Sequence, residues 1–159
     1  KEREVCQMGT TLKDLDQIHV IDSLAKICLG EEACGSCDRS QCVIGYAQDC
    51  VTNCIREKVT FVEDGAKKIP HDFKVYSETE LANGIANILN GCRSCGLDHF
   101  ENCIINVIRN CCEVALFGET QPYEGSALRY LAQLNMQGKK DAELILEEYH
   151  KIKDQTKKE

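Results

Sequence analysis

A cysteine-rich segment occurs twice in this chain of 159 residues. Each copy begins with a Cys-x-x-Cys pair and continues with two further cysteines that lie eight residues apart. Residues before and after the pair recur 61 positions later in the second copy, whereas the two cysteines of the pair recur 58 positions later. Because the spacing of 61 residues returns after the pair, the pattern indicates an internal duplication, with repeats at about 24–54 and 85–115. The eight repeated cysteines are Cys34, Cys37, Cys42, Cys50, Cys92, Cys95, Cys103 and Cys111.

The remaining pattern is helical. Apolar residues recur at three-residue steps from Leu12 to Ile27, after the capping-box residues Thr11 and Asp14 and before Gly30. Further helices are predicted over residues 42–57, 77–90, 101–117, 127–137 and 140–153. We therefore expect an all-α protein. Residues 1–117 would form two helix–cysteine loop–helix units about a pseudo-two-fold axis, and residues 118–159 would add a C-terminal helical hairpin.

Two regions leave alternatives open. The connector, residues 59–75, has β-favouring residues around Asp64-Gly65 and Pro70, so it forms either an irregular connection or a short β-hairpin. The two C-terminal helices each carry one apolar face, which we expect to pack on the duplicated core, although such a face would also suit another subunit. These faces consist of Leu128, Leu131 and Leu134 on one helix, and Ala142, Ile145, Leu146, Tyr149 and Ile152 on the other.

Charge and composition restrict the class of partner. The formal net charge is −7, which argues against nucleic acid or an anionic membrane as the main partner, because both favour basic surfaces. No apolar run approaches the roughly 18 to 20 residues that span a bilayer, so we expect a soluble protein. The 12 cysteines suit thiolate ligands in a reducing compartment such as the cytoplasm, or disulfides in a secreted protein. The absence of an Asn-x-Ser/Thr sequon favours the cytoplasm.

Helix geometry limits how the cysteines can bind a metal. Cys42 and Cys50 would lie roughly 12 Å apart along a helix axis, as would Cys103 and Cys111. A single Zn holds its sulfur ligands at about 2.3 Å, so the two members of such a pair cannot share one ion. The sequence therefore predicts two three-cysteine groups, one containing Cys34, Cys37 and Cys42, and the other containing Cys92, Cys95 and Cys103.

The fourth ligand of each group is predicted to come from the other copy. If the two cysteine helices pack antiparallel, Cys111 or Cys112 would complete the first group and Cys50 the second. All-thiolate groups suit Fe-S clusters, zinc or copper(I). Because the groups are paired and the surface is acidic, we expect Fe-S clusters, with structural zinc as the alternative, in a small electron-transfer or accessory subunit of a larger redox protein. We do not expect an enzyme that acts on its own.

The same arrangement also suits two other kinds of protein. Disulfides Cys42–Cys111 and Cys50–Cys103 would staple the two helices together in an extracellular binding protein without catalytic activity. Alternatively, one Cys-x-x-Cys pair would serve an enzyme of dithiol exchange. Of the cysteines outside the repeat, we expect Cys28, Cys54 and Cys112 to be small buried residues, and we assign no role to Cys6. No histidine set or catalytic triad is present in the sequence.

Overall fold

A computed structural model describes residues 17–35, 37–59, 61–72, 74–91, 103–123 and 126–158. These ranges are mostly helical and contain no strand, which confirms the all-α class. The helices are α1 (Gln17–Ile27), α2 (Glu31–Cys34), α3 (Val43–Glu57), α4 (Glu78–Gly91), α5 (Ile104–Phe117), α6 (Ala127–Met136) and α7 (Ala142–Lys158), with a 3-10 turn at Arg39–Gln41. Within the same ranges, no helix is long and apolar enough to cross a membrane.

Local side chains fix where several helices begin. The backbone of Cys42 is extended, and its sulfur accepts a 3.2 Å hydrogen bond from the N–H of Gly45, so this cysteine is the N-cap of α3. The hydroxyl of Ser77 accepts a 3.3 Å hydrogen bond from the N–H of Glu80 at the start of α4, as the capping-box pattern predicts. Ser126 caps α6 in the same way.

α5 is the deeply buried helix of the core, and α4 is the helix that most of the others contact. All residues from Ile104 to Glu113 are buried, because α3 and α4 both lie against α5. α1 and α7 both pack against α4. The apolar face of α7 is buried at Ala142, Ile145 and Tyr149, whereas Leu146 remains partly exposed. On α6, Leu131 and Leu134 are buried but Leu128 is exposed, so only part of each predicted stripe reaches the core.

One glycine allows the close approach of α1 and α4. A Cβ atom at Gly84 would lie 2.9 Å from Cδ1 of Ile27, which is closer than van der Waals contact permits. A side-chain hydrogen bond of 2.8 Å from Asn87 to Ser23 joins the same two helices. The contact between these helices therefore depends on a missing side chain as well as on apolar burial.

The helix boundaries differ from the prediction at several points. α1 ends at Ile27 rather than just before Gly30, and the predicted start of this helix at Leu12 lies outside the described residues. The sequence pattern missed α2 and the 3-10 turn. The connector does not form the alternative β-hairpin in its described part; it folds into turns, and the backbone of Phe61 makes an isolated bridge to Cys103.

Candidate thiol site

Four cysteines line one open basin of about 750 Å³. One wall of the basin is the chain from the end of α1 to the start of α3, and the other wall is the last part of the connector. We call this cavity the thiol basin. Its sulfur and polar lining includes Cys28, Cys34, Cys37, Cys42, His71, Asp72, Lys74 and Tyr76.

The loop between α1 and α3 brings the cysteines to this wall. Cys28 directly follows α1, and Cys34 is the last residue of α2. Gly30 and Gly35 flank α2 with φ values of 86° and 81°, a conformation that other residues rarely adopt. Because these two glycines reverse the chain on either side of a single helical turn, sulfurs from several sequence positions reach the same cavity. Cys28 and Cys37 are exposed, and Cys34 and Cys42 are partly buried.

The sulfur of Cys42 is part of a hydrogen-bonded chain. It lies 3.4 Å from the hydroxyl oxygen of Tyr76, and Tyr76 in turn donates a short hydrogen bond to Oδ2 of Asp72. A phenol has a single proton, so the thiol of Cys42 is left as the donor to the tyrosine oxygen. The N-terminal end of α3 is also a favourable position for a negatively charged sulfur ligand, because the free N–H groups of its first turn point there.

Asp72 is the charged centre of the connector wall. Its side chain is only 2% exposed and forms a 3.1 Å ion pair with Lys74. Its oxygens also accept the backbone N–H groups of Val43 and Lys74, both at 2.9 Å. Burial alone would raise the pKa of Asp72, but the hydrogen bonds from Tyr76, from both backbone groups and from the Lys74 ammonium lower it below the ordinary value. The carboxylate is therefore ionised and ties the connector to the start of α3.

Lys74 places a positive charge beside two of the predicted ligands. Burial would lower the pKa of Lys74, but its hydrogen bond with Asp72 raises the pKa above its usual value, and the nearby Cys42 and Cys34 act in the same direction. The ammonium is thus held in its charged form next to these two sulfurs.

The other described cysteines of the repeat lie in the helical core. Cys50, Cys103 and Cys111 are at most 7% exposed, and none of them lines the thiol basin. Burial raises the pKa of Cys111, and charges at Cys112 and at Cys50 raise it further, so Cys50 and Cys111 lie near each other where α3 packs on α5. Cys103 is the N-cap residue of α5. Cys92 and Cys95 lie outside the described residues.

Sequence reasoning missed several members of the basin. Cys28 was expected to be buried, but it is exposed, because α1 ends at the preceding residue. Asp72 and Lys74 come from the connector and Tyr76 directly follows it, and no periodic signal marked any of the three. Cys54 and Cys112 are buried, which confirms the expectation for these two.

The described residues do not form a preassembled metal centre. Across the described ranges, no group of three or more His, Cys, Asp or Glu side chains is arranged to hold a metal ion. The nine described cysteines are all free thiols. The basin nevertheless collects soft sulfur donors with one imidazole, and this donor set suits zinc or an Fe-S cluster.

Comparisons with known proteins do not assign this arrangement. No protein-family model matches the chain, and neither a curated protein nor a solved structure is significantly similar to it.

Proposed function

We propose that the protein binds an Fe-S cluster, or alternatively zinc, in the thiol basin through Cys34, Cys37 and Cys42. The observation that carries this proposal is that these three predicted ligands line one cavity together with a fourth thiol. The cavity is wide and open, so the loop around α2 can move its sulfurs toward a common centre. Such ordering is usual for thiolate sites, because metal binding supplies the free energy that assembles the ligands.

The fourth ligand in this proposal is Cys28. The sequence predicted that the fourth ligand comes from the other copy, as Cys111 or Cys112. Both are buried in the core, and neither lines the basin. Cys28 lies in the basin, is exposed, and needs no rearrangement of the packed helices. His71 also lines the basin and is the alternative donor for zinc, which accepts imidazole nitrogen as readily as sulfur.

A second centre is proposed for the second copy, with Cys92, Cys95 and Cys103 as ligands. Two observations support a duplicated architecture with two related halves. Cys42 and Cys103, which correspond in the repeat, are both N-cap residues of helices that pack on each other. The corresponding residues Cys50 and Cys111 lie near each other at that same helix contact. This is the relation expected for two halves about a pseudo-two-fold axis, with α6 and α7 as an added hairpin.

The role proposed for these centres is electron transfer, or structural support, in a small accessory subunit. The thiol basin is open at the surface, so a centre bound there would lie close to a docked partner. The formal net charge of −7 suits docking on a larger protein with a basic surface. Thiolate ligation also favours a reducing compartment such as the cytoplasm.

The test is metal and sulfide analysis of protein purified without oxygen, combined with a UV-visible spectrum. Brown protein that contains iron and sulfide supports the Fe-S form, and colourless protein with zinc supports the structural form. The double variant C34S/C37S should lose one of the two proposed centres and keep the other. The matched control is Cys54→Ala, which removes a buried thiol outside the basin and should leave the metal content unchanged.

Two results would contradict the proposal. If the protein contains no metal and almost no titratable thiol after denaturation, the cysteines form a disulfide scaffold. If C34S/C37S and Cys54→Ala both retain the full metal content, the metal is bound outside the thiol basin. A further variant, Cys28→Ser, tests the fourth ligand, because it should change the spectrum or weaken metal binding only if Cys28 is a ligand.

A further inference from the structure

A second cavity lies beside the middle of α5, away from the thiol basin. Its volume is about 390 Å³, and none of its lining residues is shared with the basin. One side consists of α5 residues and the other of the chain that follows Gly118. We call it the arginine cleft, and it is lined by Asn106, Arg109, Asn110, Thr120, Gln121, Pro122 and Tyr123.

Arg109 is the charged residue of this cleft. Its side chain is only 2% exposed, which is rare for an arginine. The Nε atom lies 3.1 Å from Oε2 of Glu113, and Nη2 lies 3.4 Å from Oδ1 of Asn110. The guanidinium carbon lies 4.4 Å from the ring centroid of Tyr123. Packing and hydrogen bonds thus hold the guanidinium plane in one orientation.

The carboxylate paired with Arg109 already has several hydrogen-bond donors. Glu113 is completely buried and accepts three hydrogen bonds: from Nε of Arg109, from the hydroxyl of Tyr130 at 2.6 Å, and from the backbone N–H of Gln121 at 3.0 Å. Nη1 of Arg109 and Nε2 of Gln121 are not bonded to this carboxylate. Glu119, which is close in sequence, forms an exposed ion pair with Lys139 at 2.9 Å, and the Gln121 side chain interacts with the same carboxylate without a hydrogen bond of normal geometry.

Two side-chain hydrogen-bond donors in the wall of the cleft lack an acceptor. Nη1 of Arg109 and Nε2 of Gln121 are buried, and neither has a hydrogen-bond partner in the described part of the chain. A buried donor without an acceptor is destabilising, so such a pair needs a ligand or an ordered water molecule. Both residues belong to the wall of the same cleft, which has room for more than one water molecule.

We propose that the arginine cleft binds a carboxylate group, with Nη1 of Arg109 and Nε2 of Gln121 as its hydrogen-bond donors. A carboxylate presents two acceptor oxygens in one plane, which suits a cleft with two unpartnered donors, and hydrogen bonds between a guanidinium and a carboxylate are stronger than those between neutral groups. Pro122 and Tyr123 provide apolar contact for a short carbon chain on the ligand. The site is independent of metal binding in the thiol basin.

The test uses acetate as the probe and acetamide as its neutral analogue of similar shape. Acetate should shift the side-chain NMR signals of Arg109 Nε and Gln121 Nε2 in a saturable manner, with a Kd on the order of millimolar for so small a ligand. Acetamide should bind at least about tenfold more weakly, because it offers one acceptor oxygen instead of two. Inorganic phosphate is titrated in parallel to separate a carboxylate site from a general anion site.

Variants at Gln121 make the test specific. Gln121→Leu removes the side-chain donor but keeps the backbone N–H that bonds to Glu113, so the protein should fold and bind acetate about tenfold more weakly. Gln121→Glu supplies a carboxylate within the chain and should abolish acetate binding. The matched control is Gln133→Leu on α6, which lies outside the cleft and should bind acetate like the wild type.

The source of the carboxylate is tested with Glu119→Gln, because the Glu119 carboxylate interacts with the Gln121 side chain. Tighter acetate binding in this variant identifies the chain's own carboxylate as a competitor, and unchanged binding identifies an external ligand; both support a carboxylate site. The proposal is overturned if acetate causes no saturable shift, if acetamide or phosphate binds as well as acetate, or if Gln121→Leu binds acetate with unchanged affinity.

Discussion

The hydroxyl of Tyr130 on α6 donates a 2.6 Å hydrogen bond to Oε2 of Glu113 on α5. Both side chains are buried, so this bond joins the C-terminal helices to the central helix inside the core. Burial raises the pKa of Glu113, although Arg109 and the donors of Tyr130 and Gln121 oppose this effect. The carboxyl group therefore depends on every donor that reaches it.

Removing the Tyr130 hydroxyl should destabilise the protein measurably. Tyr130→Phe preserves the ring but takes one donor from a buried carboxyl group, and we expect a loss of about 1–3 kcal/mol in the free energy of unfolding. The measurement is urea denaturation followed by circular dichroism. The control is Tyr149→Phe, which removes a hydroxyl from a similarly buried tyrosine on α7 and leaves Glu113 unchanged. Equal losses in both variants would mean that the bond to Glu113 contributes nothing specific.

The contact between Gly84 and Ile27 predicts an interaction between two substitutions. Gly84→Ala improves helix propensity by about 1 kcal/mol but places a methyl group against Cδ1 of Ile27, with an overpacking cost of about 1–3 kcal/mol. Ile27→Val removes Cδ1 at a cost of about 0.5–1.5 kcal/mol. The double variant should therefore be more stable than the sum of the single effects predicts. Thermal or urea denaturation of all four proteins measures this coupling, and additivity would contradict the steric explanation.

Asp72 should contribute to stability in a pH-dependent way. Its folded-state pKa is below the ordinary value of 3.8, because hydrogen bonds from Tyr76, Val43 and Lys74 outweigh the effect of burial. A carboxyl group of this kind stabilises the fold above its unfolded pKa, and the contribution is lost as the pH falls through the folded pKa. Wild-type stability should therefore decrease below about pH 4 more steeply than that of Asp72→Asn, by at most about 1.4 kcal/mol per pH unit.

Denaturation with urea at a series of pH values measures this difference. Glu113 has the opposite effect on the pH dependence of stability. Its folded-state pKa is raised, so its contribution to the free energy of unfolding decreases as the pH rises. It is present in both proteins, so it cancels when the two curves are subtracted. Parallel curves for the wild type and Asp72→Asn between about pH 5 and pH 3 would show that Asp72 is not stabilised by its partners.

Much of the fold could be predicted from helical periodicity, whereas much of the site could not. The pattern located α3 to α7 within a few residues, and the caps at Ser77 and Cys42 coincide with residues where a helix was expected to begin. Cys28 and Leu89 occupy corresponding positions in the repeat, yet α1 ends before Cys28 while α4 continues to Gly91 and buries Leu89. Because α1 ends a few residues earlier than α4 at corresponding positions, the Cys28 thiol is exposed and the Leu89 side chain is buried.

The polar wall of the thiol basin depends on long-range contacts. Tyr76 follows Cys42 by 34 residues, and Asp72 follows Val43 by 29. The sequence between them contains a connector without helical or strand periodicity, so nothing in the local pattern indicates that these residues meet. Hydrogen bonds to Cys42 and Val43 hold the end of the connector at the start of α3.

The thiols should divide into two classes of reactivity. Burial, followed by the charge of Glu113, raises the pKa of Cys112 to about 12, and burial likewise raises the pKa values of Cys111 and Cys50. With a pKa near 12, only on the order of one molecule in 10⁵ carries the reactive thiolate at roughly pH 7. These thiols should react with iodoacetamide only when the protein unfolds. Cys28 and Cys37 are exposed in the basin and should react in the native state.

Mass spectrometry of peptides from briefly alkylated, metal-free protein measures these rates, and alkylation in urea provides the reference for full access. The same experiment on metal-loaded protein links reactivity to function, since a metal in the thiol basin should protect Cys34, Cys37 and Cys42 while leaving the slow core thiols unchanged. Protection of Cys28 together with these three would support its role as the fourth ligand. Native-state labelling of Cys111 and Cys112 as fast as that of Cys37 would contradict the buried placement of the core thiols.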